Sequence, residues 1–337
     1  MNSAIETSTE LQDVDWRPAG AAPLVSVVIP AYNSQQFICE AIDSVLRQTH
    51  PQLEIIVVDD GSTDDTVAAV ARFGDKIRLI EQINQGSAVA RNSGISAARG
   101  ALIAFLDADD VWHPRKLELQ IDAMRTSRCK MVYSKFLFWR TQPGGTRHAA
   151  AELFTNPTDD AKSTADVPSG WLYAQLMRDC IVWTSTVVVE KKMLRAVGGF
   201  NPDLRKGQDW DLWLRLSQAG TWTGVAEYLA LYRIHGSSIT HKRSKINYEY
   251  KILTDAINRW GLSGPDGSSV EEAFIQRRMG RSCVGFGRLH LSGGDPQISR
   301  ESFRLAMQHL GYTPKCVTLW AFAVLKCALT ARAVQRP

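Results

Sequence analysis

Asp107-Ala108-Asp109-Asp110 follows the apolar run at residues 101–106 (ALIAFL) without a break. Carboxylates set against a buried strand are costly unless a cation or hydrogen-bond donors compensate them. Alternation would let one of Asp107 and Asp109 face a nucleotide ribose. The other would then reach a hard divalent ion, Mg²⁺ or Mn²⁺, that keeps its remaining sites for diphosphate oxygens and water. A turn with aspartates capping the helix entered at His113-Pro114 gives the same letters, and for a D-x-D in isolation that is the commoner case.

Two further turns shift that balance. Asp59-Asp60-Gly61-Ser62 is a second acidic turn behind an apolar run, where an Asp can accept hydrogen bonds from a base N–H or from ribose hydroxyls. Asn84-Gln85-Gly86 with Arg91 adds a glycine turn, a helix N-terminus and a cation, all suited to a diphosphate. Each is a weak signal alone. Their order along one sheet is a stronger one.

The elements that must hold these loops read as alternating strands and helices. Residues 24–29 (LVSVVI), 53–58 (LEIIVV), 77–80 and 101–106 are apolar runs of strand length, expected to be buried on both faces of a parallel sheet. Between them, Phe37, Ile38, Ile42, Val45 and Leu46 recur at helical spacing behind an expected N-cap at Asn33 or Ser34. A second helix should start at Thr63 or Asp64, and a small-residue helix should run through Ala90, Ile95 and Ala98. This alternation implies right-handed parallel crossovers, with ligands beyond the carboxyl ends of the strands. Further on, Pro114 should open a helix with Leu117, Ile121 and Met124 inward. Strands are expected at 131–139 and 181–189, with a loop-rich stretch from 140 to 169. Helices should follow at 191–197, stopped by Gly198 and Gly199, and at 210–219 with Leu212, Leu216 and Trp213 inward. After residue 246 the pattern is helical only, at 248–260, 270–291, 299–310 and 314–334, which suggests two helical hairpins. The expected division is a leader at 1–23, an α/β domain at 24–240 and a helical region at 241–337.

In order, the motifs VSVVIPAYN, DDGSTDDT, NQGSAVARNSGISAARG, FLDADD, VGGFN and QDWDLWLRL resemble a family 2 glycosyltransferase of GT-A fold, with a mostly parallel nucleotide-binding sheet flanked by helices. The resemblance covers residues 24–240. It implies that Pro30, Tyr32, Asn33 and Asp60 hold the nucleoside of a donor, and that Arg91 and Asp107 lie near its diphosphate and ribose. It also implies that Asp109 ligates the metal and that Asp209 is the base. His235 matches a position that contacts metal or diphosphate in related enzymes. The implied reaction is inverting transfer from a nucleotide diphosphate sugar, UDP-linked by resemblance, to a carbohydrate or lipid-linked glycan hydroxyl in cell-surface polysaccharide assembly. Two departures are visible. Gln208 stands where the family usually carries Glu before the base, and the Gln-x-x-Arg-Trp motif of processive synthases is missing, which favours a single addition.

Composition is compatible with such an enzyme: 45% hydrophobic and 22% charged residues can bury a core and solvate a surface. Six scattered cysteines form no C-x-x-C pair and read as reduced thiols. Residues 1–22 lack the cationic start and apolar middle of a secretion signal, so a cytoplasmic place is expected. Charge is uneven, with 15 Lys/Arg against 7 Asp/Glu from residue 240 onward, inside a net +4. With Trp320, Phe322 and Leu325 near Arg332 and Arg336, that basic tail suggests either peripheral contact with the inner face of a membrane or packing on the sheet domain. Nucleic acid is not an expected partner. Two other readings compete: a nucleotidyltransferase, against which PAYNS offers neither the glycine nor the lysine of a phosphate loop, and an inactive nucleotide-sugar-binding protein, with Gln208 as its mark.

Overall fold

The computed structural model describes residues 22–140, 149–159, 161–163, 166–236 and 243–334. Residues 1–21 of the expected leader, part of the 140–169 stretch, Arg336 and the side chain of Arg332 fall outside the described residues. Among the described residues eight strands form one sheet: β1 (Val25–Ala31), β2 (Leu53–Asp59), β3 (Arg78–Glu81), β4 (Leu102–Phe105), β5 (Val111–Trp112), β6 (Met131–Trp139), β7 (Val188–Glu190) and β8 (Trp222–Arg233). Their order is β3-β2-β1-β4-β7-β6-β8-β5. The first four are parallel neighbours, with Val28 opposite both Ile56 and Phe105. β7 then runs antiparallel to β4 and β6, β6 is parallel to β8, and β5 is antiparallel to β8.

Strict alternation along the central strands explains their apolar sequence. Val27, Ile29, Ile55, Val57, Leu102 and Ala104 face one core, and Val28, Ile56, Val58, Ile103 and Phe105 face the other. A strand covered on both faces needs apolar residues at every position. The covering helices are α1 (Ile38–Leu46), α2 (Thr66–Ala71), α3 (Ser87–Ala97), α4 (Lys116–Ser127), α5 (Ala150–Thr155), α6 (Tyr173–Arg178), α7 (Lys191–Ala196) and α8 (Gln208–Ser217). α3 lies close to β1 because Gly94 has no side chain: a Cβ there would sit 2.4 Å from Val28 Cγ1. Leu212, Trp213 and Leu216 of α8 are fully buried, and Trp213 meets Trp222 edge to face at 5.6 Å.

Several local expectations are corrected. Neither Asn33 nor Ser34 is the N-cap of α1, which begins after Phe37. Asn33 is left-handed at φ 49° and its Oδ1 instead accepts from the Thr63 N–H, while the Ser34 carbonyl closes a turn by accepting from Phe37 and Ile38. The strand expected at 181–189 is reduced to β7. Residues Thr184–Thr186 coil into a 3₁₀ turn, with the Thr186 N–H bonded to the Trp183 carbonyl and that of Val187 to Thr184. β8 carries little sequence signal because Gly224 and Glu227 interrupt its alternation, and around Glu227 its pairing with β6 shifts register.

The C-terminal helices are α9 (Tyr248–Trp260), α10 (Glu272–Leu291), α11 (Pro296–Leu310) and α12 (Pro314–Val334). They are one continuous stack rather than two hairpins. Ile252, Leu253 and Ala256 of α9 and Ile275 and Met279 of α10 enter the same core as Trp210 and Leu212, so the stack is rooted in the sheet domain. α10 packs on α11 and α11 on α12. Outward from there Phe322, Leu325 and Leu329 of α12 are each more than half exposed.

Three ends of chain meet at Asp110, which follows β4 and is 1% exposed. Its Oδ2 accepts from Ser185 Oγ at 2.5 Å, just ahead of β7, and its Oδ1 accepts from the Arg233 N–H at 3.0 Å, at the end of β8. Removing a buried acceptor leaves both donors unsatisfied. Asp110→Ala is therefore expected to lower the unfolding free energy by about 1–3 kcal/mol. A urea titration would read this as an earlier midpoint at unchanged slope. A midpoint equal to that of the parent chain would show that the joint bears no stability.

Candidate active site

Because Asp110 turns into the protein, the two aspartates before it splay apart at the carboxyl edge of the sheet. Asp107 Oδ1 accepts from Arg91 Nη2 at 2.5 Å, and its own N–H donates to Ser185 Oγ at 3.1 Å. Asp109 points the other way, with Oδ2 at 2.7 Å from His235 Nε2. Burial pushes the Asp110 carboxyl well above the ordinary carboxylate range, and the charges of Asp109 and Asp107 push it further. Asp107 is raised too, first by burial and then by Asp109, with Arg91 working against the rise. Three carboxyls crowded in this way leave a deficit of positive charge that Arg91 alone only partly meets.

His235 is aimed by the end of β8. Arg233, 3% exposed, donates Nε to the Asp109 carbonyl at 2.6 Å and Nη2 to Glu40 Oε2 at 2.6 Å. Its guanidinium lies 3.8 Å from the Trp139 ring centroid and 4.9 Å from that of Phe37. Phe37 in turn packs on the His235 ring at 4.7 Å. The backbone of Asp109 and the imidazole partner of its carboxylate are thus fixed by one side chain. Among the described residues no group of three His, Cys, Asp or Glu converges as a ready-made metal cage.

The loops of β1, β2 and β3 flank this edge. Asp60, 3% exposed, accepts from Gln82 Nε2 at 2.7 Å, from the Gln85 N–H at 2.9 Å and from the Gly86 N–H at 2.7 Å. It therefore shapes the Asn84-Gln85-Gly86 turn. Gly86 holds φ 96°, and a Cβ there would meet Arg205, whose Nη1 donates to the Gln85 carbonyl at 2.8 Å. Asn84 is exposed, as are Asn33 and the Tyr32 ring, while Pro30 is half-buried in β1. Beside them Asp59 Oδ1 is buried with no hydrogen-bond partner.

Asp209 stands across the cleft in the first turn of α8. Its Oδ2 accepts from Thr184 Oγ1 at 3.1 Å, and its Oδ1 from the Trp210 N–H at 2.8 Å. The adjacent Gln208 is buried and donates Nε2 to Ser87 Oγ at 2.5 Å, tying the start of α8 to the start of α3. A carboxylate at that position would have to accept from the Ser87 hydroxyl instead. The charge of Asp209 reaches Asp107, and it also adds to the burial that lifts the Cys180 thiol well above its usual range.

The 3₁₀ turn at Thr184–Thr186 joins the two sides. Thr184 holds Asp209, and its neighbour Ser185 holds Asp110 and the Asp107 N–H. Sequence reading brings Asp107, Asp109, Arg91, His235 and Asp209 to this cleft but misses Asp110 as the inward anchor, Ser185 and Arg233. The one available signal for Arg233 is its place two residues before His235. Trp183 and Tyr232 form an aromatic wall here, with rings 4.3 Å apart. Burial lifts the Tyr232 phenol to about 12, helped by Asp110, Asp109 and Asp107.

Comparison with known proteins is consistent with this geometry. Residues 26–181 match the family described as Glycosyl transferase family 2. The putative teichuronic acid biosynthesis glycosyltransferase TuaG of Bacillus subtilis is 32% identical over 228 residues, covering 66% of this chain and 84% of the relative. The Escherichia coli UDP-Glc:alpha-D-GlcNAc-diphosphoundecaprenol beta-1,3-glucosyltransferase WfgD is 30% identical over 239 residues, covering 69% and 87%. Among solved structures, S. aureus TarS in complex with UDP-GlcNAc aligns with a TM-score of 0.60 at 18% identity, over 88% of this chain and 83% of that one. The mannosyltransferase PcManGT of Pyrobaculum calidifontis, with GDP-Man and Mn²⁺, aligns with a TM-score of 0.53 at 16% identity, over 94% and 88%. The fold is of the GT-A type, and with two curated relatives matched over most of their length the chain belongs to glycosyl transferase family 2 and is a glycosyltransferase.

Proposed function

We propose that the chain adds one sugar per reaction from a UDP-linked donor to a hydroxyl of a lipid-linked or polysaccharide glycan, with a divalent cation and with inversion at the anomeric carbon. The observation that carries this reading is the turn Thr184–Thr186, which holds a candidate base on one side and the Asp107–Asp110 segment on the other. The name of WfgD, a transfer from UDP-Glc giving a beta-1,3 product on a diphosphoundecaprenol-linked sugar, supports the donor, the acceptor class and the stereochemistry. The catalytic unit would span residues 24–240, and the helical region would begin at 241. The exposed Phe322, Leu325 and Leu329 stripe on a basic region supports a peripheral position on the inner face of a membrane. No helix among the described residues is long and apolar enough to cross one.

Pro30, Tyr32, Asn33 and Asp60 would border the nucleoside, and Asn84, Gly86, Arg91 and Asp107 the ribose and diphosphate. Cations of the Mg²⁺ or Mn²⁺ kind that bridge a diphosphate take only one or two protein ligands. Asp109 Oδ2 and His235 Nε2, which already approach to 2.7 Å, fit that need as an oxygen and a nitrogen donor. When bound, the cation supplies charge neutralisation to the departing diphosphate. Arg91 contributes fixed positive charge behind Asp107, and Arg233 keeps Asp109 facing the cleft. Each oxygen of Asp209 accepts one protein hydrogen bond and keeps lone pairs free. The carboxylate can therefore accept the proton of the attacking hydroxyl while Thr184 holds its orientation.

Asp209→Asn is expected to keep donor binding but slow transfer by roughly 10²–10⁴. Normal turnover of the variant would place the base elsewhere. The parent enzyme should give a β product from an α-linked donor, read from the anomeric coupling in the proton NMR spectrum, and a retained anomer would contradict the single displacement. Asp109→Ala should abolish the stimulation of donor hydrolysis by Mn²⁺, assayed against a chelated control. Full activity of the parent chain in excess chelator would remove the metal role.

A further inference from the structure

An open cavity of about 920 Å³ lies where α6 and the start of α9 meet the outer face of α10, and four arginines, Arg178, Arg277, Arg278 and Arg281, line it against two acids, Asp179 and Glu249. Arg278 is half-committed: it pairs with Glu249 at 2.9 Å, donates to the carbonyls of Met177 and Arg178, and lies 4.7 Å over the ring of Trp210. Arg277 and Arg281 are exposed, one helical turn apart, and neither has a hydrogen bond or ion pair among the described residues. Among the described residues the side chain of Arg178 makes only a ring contact, with Phe274 at 5.7 Å. Like charges at i and i+4 destabilise a helix. An uncompensated pair of this kind on the wall of a cavity leaves both guanidinium groups available to an anion.

Three features narrow the anion. First, guanidinium groups converging from two helices suit the several oxygens of a phosphate or diphosphate better than a single carboxylate. Second, Arg278 on the cavity wall stacks over Trp210, the residue that follows Asp209. The Cys180 thiol feels the charges of both Asp209 and Arg278. Third, the row that begins with Arg277 and Arg281 continues along α10 to Gly285, over which a Cβ would meet nothing, and to Leu289, 40% exposed. The face therefore passes from cationic to open to apolar within three turns. A diphosphate bearing an apolar chain has the same sequence of properties.

We infer that the arginine cavity binds the diphosphate of a lipid-linked acceptor, placing the attached sugar beside Asp209. This rests on the proposed transfer to a lipid-linked glycan and specifies its substrate class. The donor diphosphate belongs to the opposite edge, at Arg91 and Asp107, so the enzyme has separate phosphate sites for its two substrates.

The test compares the full chain with Arg277→Gln/Arg281→Gln in two arms, both without divalent metal. Titration calorimetry with inorganic pyrophosphate should show binding weakened at least about tenfold in the variant, for the loss of two charge-assisted contacts. Flotation with phosphatidylcholine vesicles carrying farnesyl diphosphate should recover the parent chain and lose the variant. Equal pyrophosphate affinity in the two proteins would overturn the site. Arginine-dependent pyrophosphate binding without recruitment to the vesicles would overturn its assignment to a lipid-linked acceptor. Nucleotide-sugar hydrolysis by the unaltered chain reports on the transfer reading separately, so failure of either can be told from failure of the other.

Discussion

The geometry of the cleft depends on one buried carboxyl. Asp110 has no access to solvent worth the name, and its two oxygens are taken by a hydroxyl from the turn before β7 and by an N–H from the end of β8. A group so placed cannot drift, because releasing it would leave both donors and the carboxyl unsatisfied in a medium that does not replace water. The Asp110 N–H also closes a turn onto the Asp107 carbonyl at 3.0 Å, so fixing Asp110 inward fixes what precedes it. Asp107 is turned toward Arg91 and Asp109 toward His235. The acidic edge of the sheet is therefore set by a contact that itself faces away from the cleft.

The same joint reaches the other wall. Ser185 answers to Asp110 and Thr184 to Asp209, so the two chemical halves of the cleft are separated by a single peptide unit of a tight turn. Gln208 adds a second tie, from the start of α8 to the start of α3. Positioning of this kind matters because a group misplaced by an ångström can cost a large part of its catalytic effect. Electrostatics acts in the same direction. The crowding that raises Asp107 and Asp110 is of the kind that added positive charge at this edge relieves.

Much of this was legible in the sequence for physical reasons. The central strands are apolar at every position because both faces are covered, and the loops at the carboxyl ends of β2, β3 and β4 carry Asp59 and Asp60, Asn84, and Asp107, all on one edge of the sheet. The helices from 248 onward obey simple periodicity and agree with the structure to within a few residues. What escaped was non-local. Asp110 looks like its two acidic neighbours until Ser185, 75 residues away, and Arg233, 123 residues away, are brought beside it. β8 breaks its alternation at shifts in register that only its partner strand explains. Asn33 has the right residue type for an N-cap, but a tertiary bond to Thr63 claims it first.

The helical stack joins its own apolar face to the core around α8 and leaves a face lined by arginines open, with Arg278 over Trp210. The central claim nonetheless lies at the sheet edge, where the Asp110 joint would present Asp109 and His235 to the proposed donor diphosphate. Anomalous diffraction from crystals grown with UDP and Mn²⁺ tests it most directly. The account predicts a manganese peak about 2.1 Å from an Asp109 oxygen and from His235 Nε2, shared with the diphosphate. Manganese bound elsewhere, with the Asp109 to His235 hydrogen bond still intact, would contradict it.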